Sequence, residues 1–213
     1  MTLLVVLVLS AVAVGVSPFA VRVLDRKAGW PLAALFIAAA WVVGRHVPDV
    51  ISHSPLSYKI TWLKDAIAPG MDIDFALRGD ALSVFFALLA LVIGAAVFIY
   101  SAAYLHNNDG NTSFYLIMSA FMLSVLLLVL SDDVVVLFIA WELVSIGSFL
   151  LIARAGSGGE AGSMRTLILT FTGGLTLLAA VATGAGCAWA IDGPWWAGAA
   201  LGACTVIVST LGD

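Results

Sequence analysis

The run from Asp132 to Arg154 is the part of this sequence best suited to chemistry, because it places one carboxylate, Glu142, within an otherwise apolar segment. The apolar run is about twenty residues long, which is the length of a helix that crosses a bilayer. At 1.5 Å per residue, Glu142 would lie roughly 14 Å from one charged end and 18 Å from the other. A charge at that depth costs about 2.5–3.5 kcal/mol on insertion scales. We therefore expect Glu142 to be a functional residue that needs a partner.

Two alternatives stay open around Glu142. The carboxylate could instead be protonated near a bent helix end and bonded to backbone, although its central position argues against this. Ser145 lies on the same helical face, at i+3, and Ser148 lies further round that side. Their hydroxyls could solvate the carboxylate, or they could be ordinary packing residues of a membrane helix.

The composition places the chain in a membrane. Of its 213 residues, 62% are hydrophobic and only 10% are charged, and the mean hydropathy is +1.12. These values lie far outside the range of soluble domains. The net charge of −4 is spread among loops, so we expect a lipid bilayer as partner and no nucleic acid. Cys187 and Cys204 fall in apolar segments and have no metal-type spacing,.

The hydrophobic pattern predicts an all-α polytopic membrane protein with about seven transmembrane helices. The order would be helices 1 and 2 in residues 1–47, an external loop or hairpin in 48–79, and helices 3 to 7 in 80–213. Residues 71–77 alternate apolar and polar side chains, which favours a short strand or hairpin. The predicted spans are Met1–Val21, Pro31–Val47, Ala81–Leu105, Phe114–Leu130, the Glu142 stretch, Met164–Ile191 and Trp195–Leu211.

Two connections carry further predictions. Only Ser131, Asp132 and Asp133 separate the fourth and fifth spans, so these helices should be antiparallel neighbours,. The glycine-rich segment 156–162 lacks the lysine of a phosphate loop and predicts a flexible linker.

Asp80 stands immediately before the third span. A carboxylate at the first turn suits the helix dipole and a water-facing boundary. The alternative is that Asp80 belongs to an ion entrance.

Three residues with metal-ligating side chains, His46, Asp49 and His53, occur at spacings that one helix would align,. Pro48 and Pro55 interrupt any such helix. We therefore expect a solvated loop here, with no metal site and no cofactor.

The distribution of basic residues predicts the orientation. The loops on one side hold Arg22, Arg26, Lys27, Arg154 and Arg165, whereas the short loops on the other side hold none. By the positive-inside rule, the first loop and the chain end are cytoplasmic, and the N-terminus and the 48–79 segment lie outside.

From Asp80 through Leu178, the sequence resembles the first half of an antiporter-like family. This family includes the A subunit of Mrp-type multisubunit cation/proton antiporters and the proton-pumping subunits of respiratory complex I. The most specific match is the pattern W-E-L-x-S-x-x-S-F-L-L-I at residues 141–152. Supporting matches are Asp80-Ala-Leu-Ser, Tyr100-Ser, Tyr104-Leu105, Phe114-Tyr115, Leu130-Ser131-Asp132 and Gly173-Gly174-Leu175 with Leu177-Leu178.

The resemblance implies a function. In that family, the glutamate matching Glu142 couples to a lysine on the seventh helix and passes charge changes along buried basic residues. The chain is then expected to be a proton/cation-translocating transporter subunit, not an enzyme, in the plasma membrane. Its partners would be other subunits of an antiporter complex, protons and monovalent cations. Of the family's two branches, the residues around Glu142 favour the Mrp type over the complex I type.

This sequence departs from the family in one respect. Its seventh span has no lysine, and the second inverted repeat does not follow,. We therefore expect a fragment or split subunit in which Glu142 receives its basic partner from elsewhere. Residues 1–213 alone should then show no exchange, and a non-transporting membrane scaffold is the remaining alternative.

Overall fold

The computed structural model describes residues 1–52, 55–63, 73–105, 111–154, 157–190, 198–200 and 202. Its helices are α1 (Thr2–Leu24), α2 (Gly29–Gly44), the short α3 (Val47–Ile51), α4 (Ala81–Tyr104), α5 (Asn111–Leu130), α6 (Val134–Ala153) and α7 (Ser157–Ala190), and its strands are β1 (Leu56–Leu63) and β2 (Ile73–Gly79). A 3-10 turn, Asp25–Ala28, joins α1 to α2. The chain divides into two compact units, Met1–Arg154 and Ala155–Asp213.

The predicted fold class is confirmed: the protein is a helical, polytopic membrane protein with one small hairpin. Within the described residues, five segments are long and apolar enough to cross a membrane, and the first of them, Thr2–Ile51, contains both α1 and α2. The others are Ala81–Tyr104, Asn111–Leu130, Val134–Ala153 and Gly162–Gly184. The predicted seventh span, Trp195 to Leu211, lies outside the described residues except for 198–200 and 202.

In the first unit, α1 packs against α5 and α2, and α2 packs against α4. The buried side of α1 recurs every three or four residues, as one face of a helix requires. Its members include Leu3, Val6, Ser10, Ala13, Ser17 and Ala20. The hydroxyls of Ser10 and Ser17 donate to carbonyls of their own helix, so they can be buried without a partner on the facing helix.

Helices α2 and α4 approach each other closely at Gly29. A side-chain carbon at Gly29 would lie 2.3 Å from the Phe98 carbonyl oxygen and 2.9 Å from the Tyr115 hydroxyl. Since no such contact is tolerated, only glycine fits this position. The rings of Phe36 and Phe98 stack beside it, with centroids 5.1 Å apart.

The strands pair antiparallel, from Leu56 opposite Gly79 to Leu63 opposite Ile73. This confirms the hairpin that the alternating pattern predicted. Lys59 and Asp74 form a cross-strand ion pair at 2.6 Å. Hydrogen bonds from the side chains of Lys59 and then Thr61 hold the pKa of Asp74 below its usual value.

The prediction of a flexible linker at 156–162 is wrong for residues 157–162. Helix α7 begins at Ser157 and continues through the glycines. Glycine costs a helix only about 1 kcal/mol per residue relative to alanine. The glycine content of the segment therefore led to a wrong prediction, because helix α7 begins before the apolar span that was predicted from Met164.

Candidate functional site on α6

The N-terminal end of α6 is attached to the hairpin. The Asp133 carboxylate caps the helix by accepting from the backbone N–H groups of Val135 and Val136, at 2.8 and 3.2 Å. One residue earlier, the Asp132 N–H donates to the Ala76 carbonyl of β2 at 2.9 Å. The turn between α5 and α6 is therefore held against β2.

The other end of α6 is attached to the start of α5. The Arg154 guanidinium donates to the Ser113 hydroxyl and lies 5.8 Å from the centre of the Phe114 ring. With both ends held, α6 packs along α5, which confirms the predicted antiparallel pair.

Between its ends, α6 has four buried residues, Val136, Ala140, Ser145 and Gly147. Spacings of four and seven residues place Val136, Ala140 and Gly147 on one side of the helix, and Ser145 lies on another side. A side-chain carbon at Gly147 would lie 3.0 Å from Phe121 Cδ2 and 3.3 Å from Phe121 Cβ. Gly147 is therefore a point of close contact between the two helices.

Glu142 lies in the middle of α6, as predicted. Both of its carboxylate oxygens are buried, and neither has a hydrogen-bond partner among the described residues. Five residues separate Glu142 from Gly147, which corresponds to about 140° around the helix. Glu142 and Gly147 therefore leave α6 on different sides of the helix. An unpaired carboxylate in such a place is costly in its charged form.

The two serines predicted beside Glu142 use their hydroxyl protons elsewhere. Ser145 donates to the Trp141 carbonyl at 3.0 Å, and Ser148 donates to the Ser145 carbonyl at 2.8 Å. Their hydroxyl oxygens can still accept a hydrogen bond. Their role at the site stays a prediction.

Asp80 is the N-cap of α4. Its Oδ1 accepts from the Ser83 backbone N–H at 2.8 Å, and this hydrogen bond holds the pKa of Asp80 below its usual value. Asp80 thus lies at an end of one helix, whereas Glu142 lies in the middle of another. The capping role is explained, and a part in an ion entrance stays a prediction.

The candidate metal residues form a different arrangement. His46 Nδ1 lies 3.1 Å from Asp49 Oδ2, and His46 Nε2 lies 3.2 Å from the Thr2 hydroxyl. His53 lies outside the described residues. Among the residues that the structure does describe, no three His, Cys, Asp or Glu side chains gather as metal ligands would.

Sequence reasoning missed Gly147 and Phe121, which are in close contact between α6 and α5. A glycine within a membrane helix is a known sign of close helix packing, but Gly147 has no second small residue four positions away to draw attention to it. Ser119 of α5 was also missed. Its hydroxyl is buried and has no partner among the described residues.

Comparisons with known proteins identify related chains. Residues 62–115 match the family model described as NADH-ubiquinone oxidoreductase (complex I), chain 5 N-terminus. This matched range ends before α6. An antiporter subunit mnhA2 of Staphylococcus aureus strain MRSA252 is 38% identical over 161 residues, which is 74% of this chain and 19% of that protein. The corresponding protein of Staphylococcus epidermidis is 34% identical over the same length.

Solved structures agree in fold. A chain in the structure of the Mrp complex from Dietzia sp. DQ12-45-1b has a TM-score of 0.73 and 36% identity, covering 85% of this chain and 19% of that one. A chain of an archaeal membrane-bound sulfane sulfur reductase has a TM-score of 0.69 at 16% identity, covering 86% and 27%. The second likeness concerns the fold alone. This chain spans about a fifth of the length of the mnhA2 relatives it matches.

Proposed function

Because this chain is related in sequence and fold to the A subunit of Mrp-type antiporters, and through that family to complex I, we propose that it is part of a proton/cation-translocating subunit. Glu142 is the residue that takes up and releases a proton or binds a cation. The other subunits of the antiporter complex are its partners in the plasma membrane. The N-terminus and the hairpin face outward, and the chain end is cytoplasmic.

The buried carboxylate of Glu142 carries this proposal. Its two oxygens have no hydrogen-bond partner among the described residues, although α6 is anchored at both ends and packed along α5. A charge in such a place is unfavourable unless an opposite charge approaches it. A lysine or arginine at the same depth, supplied from outside the described residues, would stabilise the charged form. Withdrawal of that cation would favour proton uptake, which provides the two states that a relay requires.

A complex I-type subunit is the second candidate, and the family model at residues 62–115 favours it. The Mrp type is preferred because relatives 38% and 36% identical belong to antiporter subunits and to an Mrp complex. A non-transporting scaffold is the third candidate. It predicts a permanently protonated Glu142 in a dry contact, which the burial of both oxygens also fits.

The substitution Glu142→Gln separates the two translocating candidates from the scaffold. Glutamine keeps the volume and hydrogen-bonding capacity of the side chain but cannot titrate. We expect unchanged assembly and membrane abundance, with cation-dependent proton exchange reduced to background in vesicles that contain the complete complex. Glu142→Asp is the matched control, because it keeps the titratable group and should retain part of the exchange. Wild-type exchange by Glu142→Gln would leave the scaffold as the better explanation.

A further inference from the structure

Gly147 is a point of close contact between α6 and α5, and it lies on the same helix as Glu142. A side-chain carbon there would meet three atoms of Phe121: Cδ2 at 3.0 Å, Cβ at 3.3 Å and Cα at 3.5 Å. Rotation of the phenyl ring can relieve the first contact only, because the Cβ and Cα positions follow the backbone of α5. A methyl group at Gly147 therefore requires a small shift of α5 at Phe121, and a larger side chain requires a larger change in the separation or rotation of the two helices,.

The geometry of a helix connects this contact to Glu142. Five residues correspond to about 7.5 Å along the axis and about 140° around it. When the Gly147 face lies against Phe121, the direction in which Glu142 projects is determined. Because both ends of α6 are also attached, at Asp133 and Arg154, the helix cannot slide freely to compensate for a displacement at its centre.

We infer that Gly147 is a positioning residue: its contact with Phe121 sets the orientation of α6 and so the place of the Glu142 carboxylate. This inference rests on the proposed function of Glu142. Gly147 itself has no group that could bind a proton or a cation, so it acts through Glu142 and not on the transported ion. The attraction between a charged carboxylate and an approaching cation changes steeply over a few ångströms, so a small rotation of α6 should alter both the rate and the pH dependence of exchange.

The test uses Gly147→Ala and Gly147→Leu in the complete complex, measured in vesicles across a range of pH. Gly15→Ala in α1 is the matched control, because a side-chain carbon at Gly15 would meet no atom within 4 Å. Alanine favours a helix over glycine at either position, so the two substitutions differ in the contact and not in helix propensity. Phe121→Ala is combined with Gly147→Ala to remove the ring that the new methyl group meets.

We expect Gly147→Ala to assemble normally, to exchange about tenfold more slowly and to reach half-maximal rate at a shifted pH. A misplacement of about 1 Å can cost about a hundredfold in a rate that depends on geometry. Gly147→Leu should be slower still, Gly15→Ala should behave as wild type, and Phe121→Ala should restore part of the rate of Gly147→Ala. The double variant Gly147→Ala with Glu142→Asp should show a non-additive loss, because both changes displace the same carboxylate.

The outcomes separate this inference from the function on which it rests. If Glu142→Gln exchanges normally, the proposed function fails and the positioning role fails with it. If Glu142→Gln abolishes exchange while Gly147→Ala matches Gly15→Ala in rate and pH profile, only the positioning role is overturned. It is likewise overturned if Gly147→Ala loses rate only in proportion to lost assembly, with an unchanged pH profile, since that result describes a packing residue.

Discussion

At the scale of single residues, the polar groups of the spanning helices are mostly satisfied within their own helix. The hydroxyls of Ser101, Ser124, Ser145 and Ser148 all donate to a carbonyl three or four residues earlier. A charged carboxylate needs donors, whereas these hydroxyls offer only acceptor oxygens. A hydroxyl of this kind can accept from a protonated carboxyl group but cannot replace the cation that a charged Glu142 requires.

Asp80 allows a residue-scale prediction, because asparagine caps a helix about as well as aspartate does. Asp80→Ala should destabilise the protein by about 1 kcal/mol, whereas Asp80→Asn should lose only the smaller part that depends on the charge. The lowered pKa of Asp80 means that the charged cap contributes stability above the unfolded value of about 3.9. That contribution is lost as pH falls through the lower folded value, and Asp80→Asn should remove this acid dependence.

Thermal unfolding of the purified complex between about pH 2 and 7 measures the stability lost in Asp80→Ala and the acid dependence lost in Asp80→Asn. Exchange assays on the same variants test the second role of Asp80. If the carboxylate serves an ion entrance, Asp80→Asn should slow exchange even though the cap is intact. Equal exchange by Asp80→Asn and wild type would leave capping as the role of this residue.

At the scale of elements, the hairpin is docked on the helices through Leu77. Its side chain is fully buried, and its backbone bridges to Ser131 in the turn between α5 and α6. The same turn places the cap of α6 at Asp133. The hairpin therefore supports the end of the helix that carries Glu142.

Leu77→Ala tests this connection. Removal of a fully buried leucine side chain costs about 2–5 kcal/mol, so we expect a lower melting temperature and faster proteolysis within residues 56–79. Ile60→Ala is the matched control, because Ile60 is 53% exposed and should change stability little. Equal stability of the two variants would show that the hairpin is not docked through Leu77.

At the scale of the whole first unit, the contacts define two sides of the helix bundle. Thr2 contacts His46 and the hairpin contacts the turn at Ser131, so these parts lie on one side. Asn111 donates to Asp25 at 3.0 Å, which places the first loop with the start of α5 on the other side. This relative arrangement agrees with the predicted topology, while the assignment of the cytoplasmic side stays a prediction.

Cysteine labelling measures that assignment. In a background with Cys187→Ser and Cys204→Ser, Arg78→Cys should react with an impermeant reagent applied outside. Lys27→Cys should react only from the cytoplasmic side, because its loop carries the basic residues of the positive-inside rule. Both positions are exposed, so accessibility does not differ between them. The opposite labelling pattern would reverse the orientation and the direction of any pathway through Glu142.

The sequence by itself determined the class of the fold, most of the spans, the hairpin and the central position of Glu142. These features follow from local physics. A bilayer requires about twenty apolar residues per helix and satisfies backbone hydrogen bonds within the segment. A lone carboxylate is therefore conspicuous, and a three-residue turn leaves α5 and α6 no choice but to pack antiparallel.

Only the tertiary structure decided which residues of α6 meet α5. In a membrane, apolar side chains suit both lipid and neighbouring helices, so the pattern of hydrophobic residues along α6 does not identify its contact face. The contact of Gly147 with Phe121 joins residues of different helices and depends on their shapes. The same holds for Leu77 against the turn at Ser131, a contact between segments far apart in sequence that no local pattern determines.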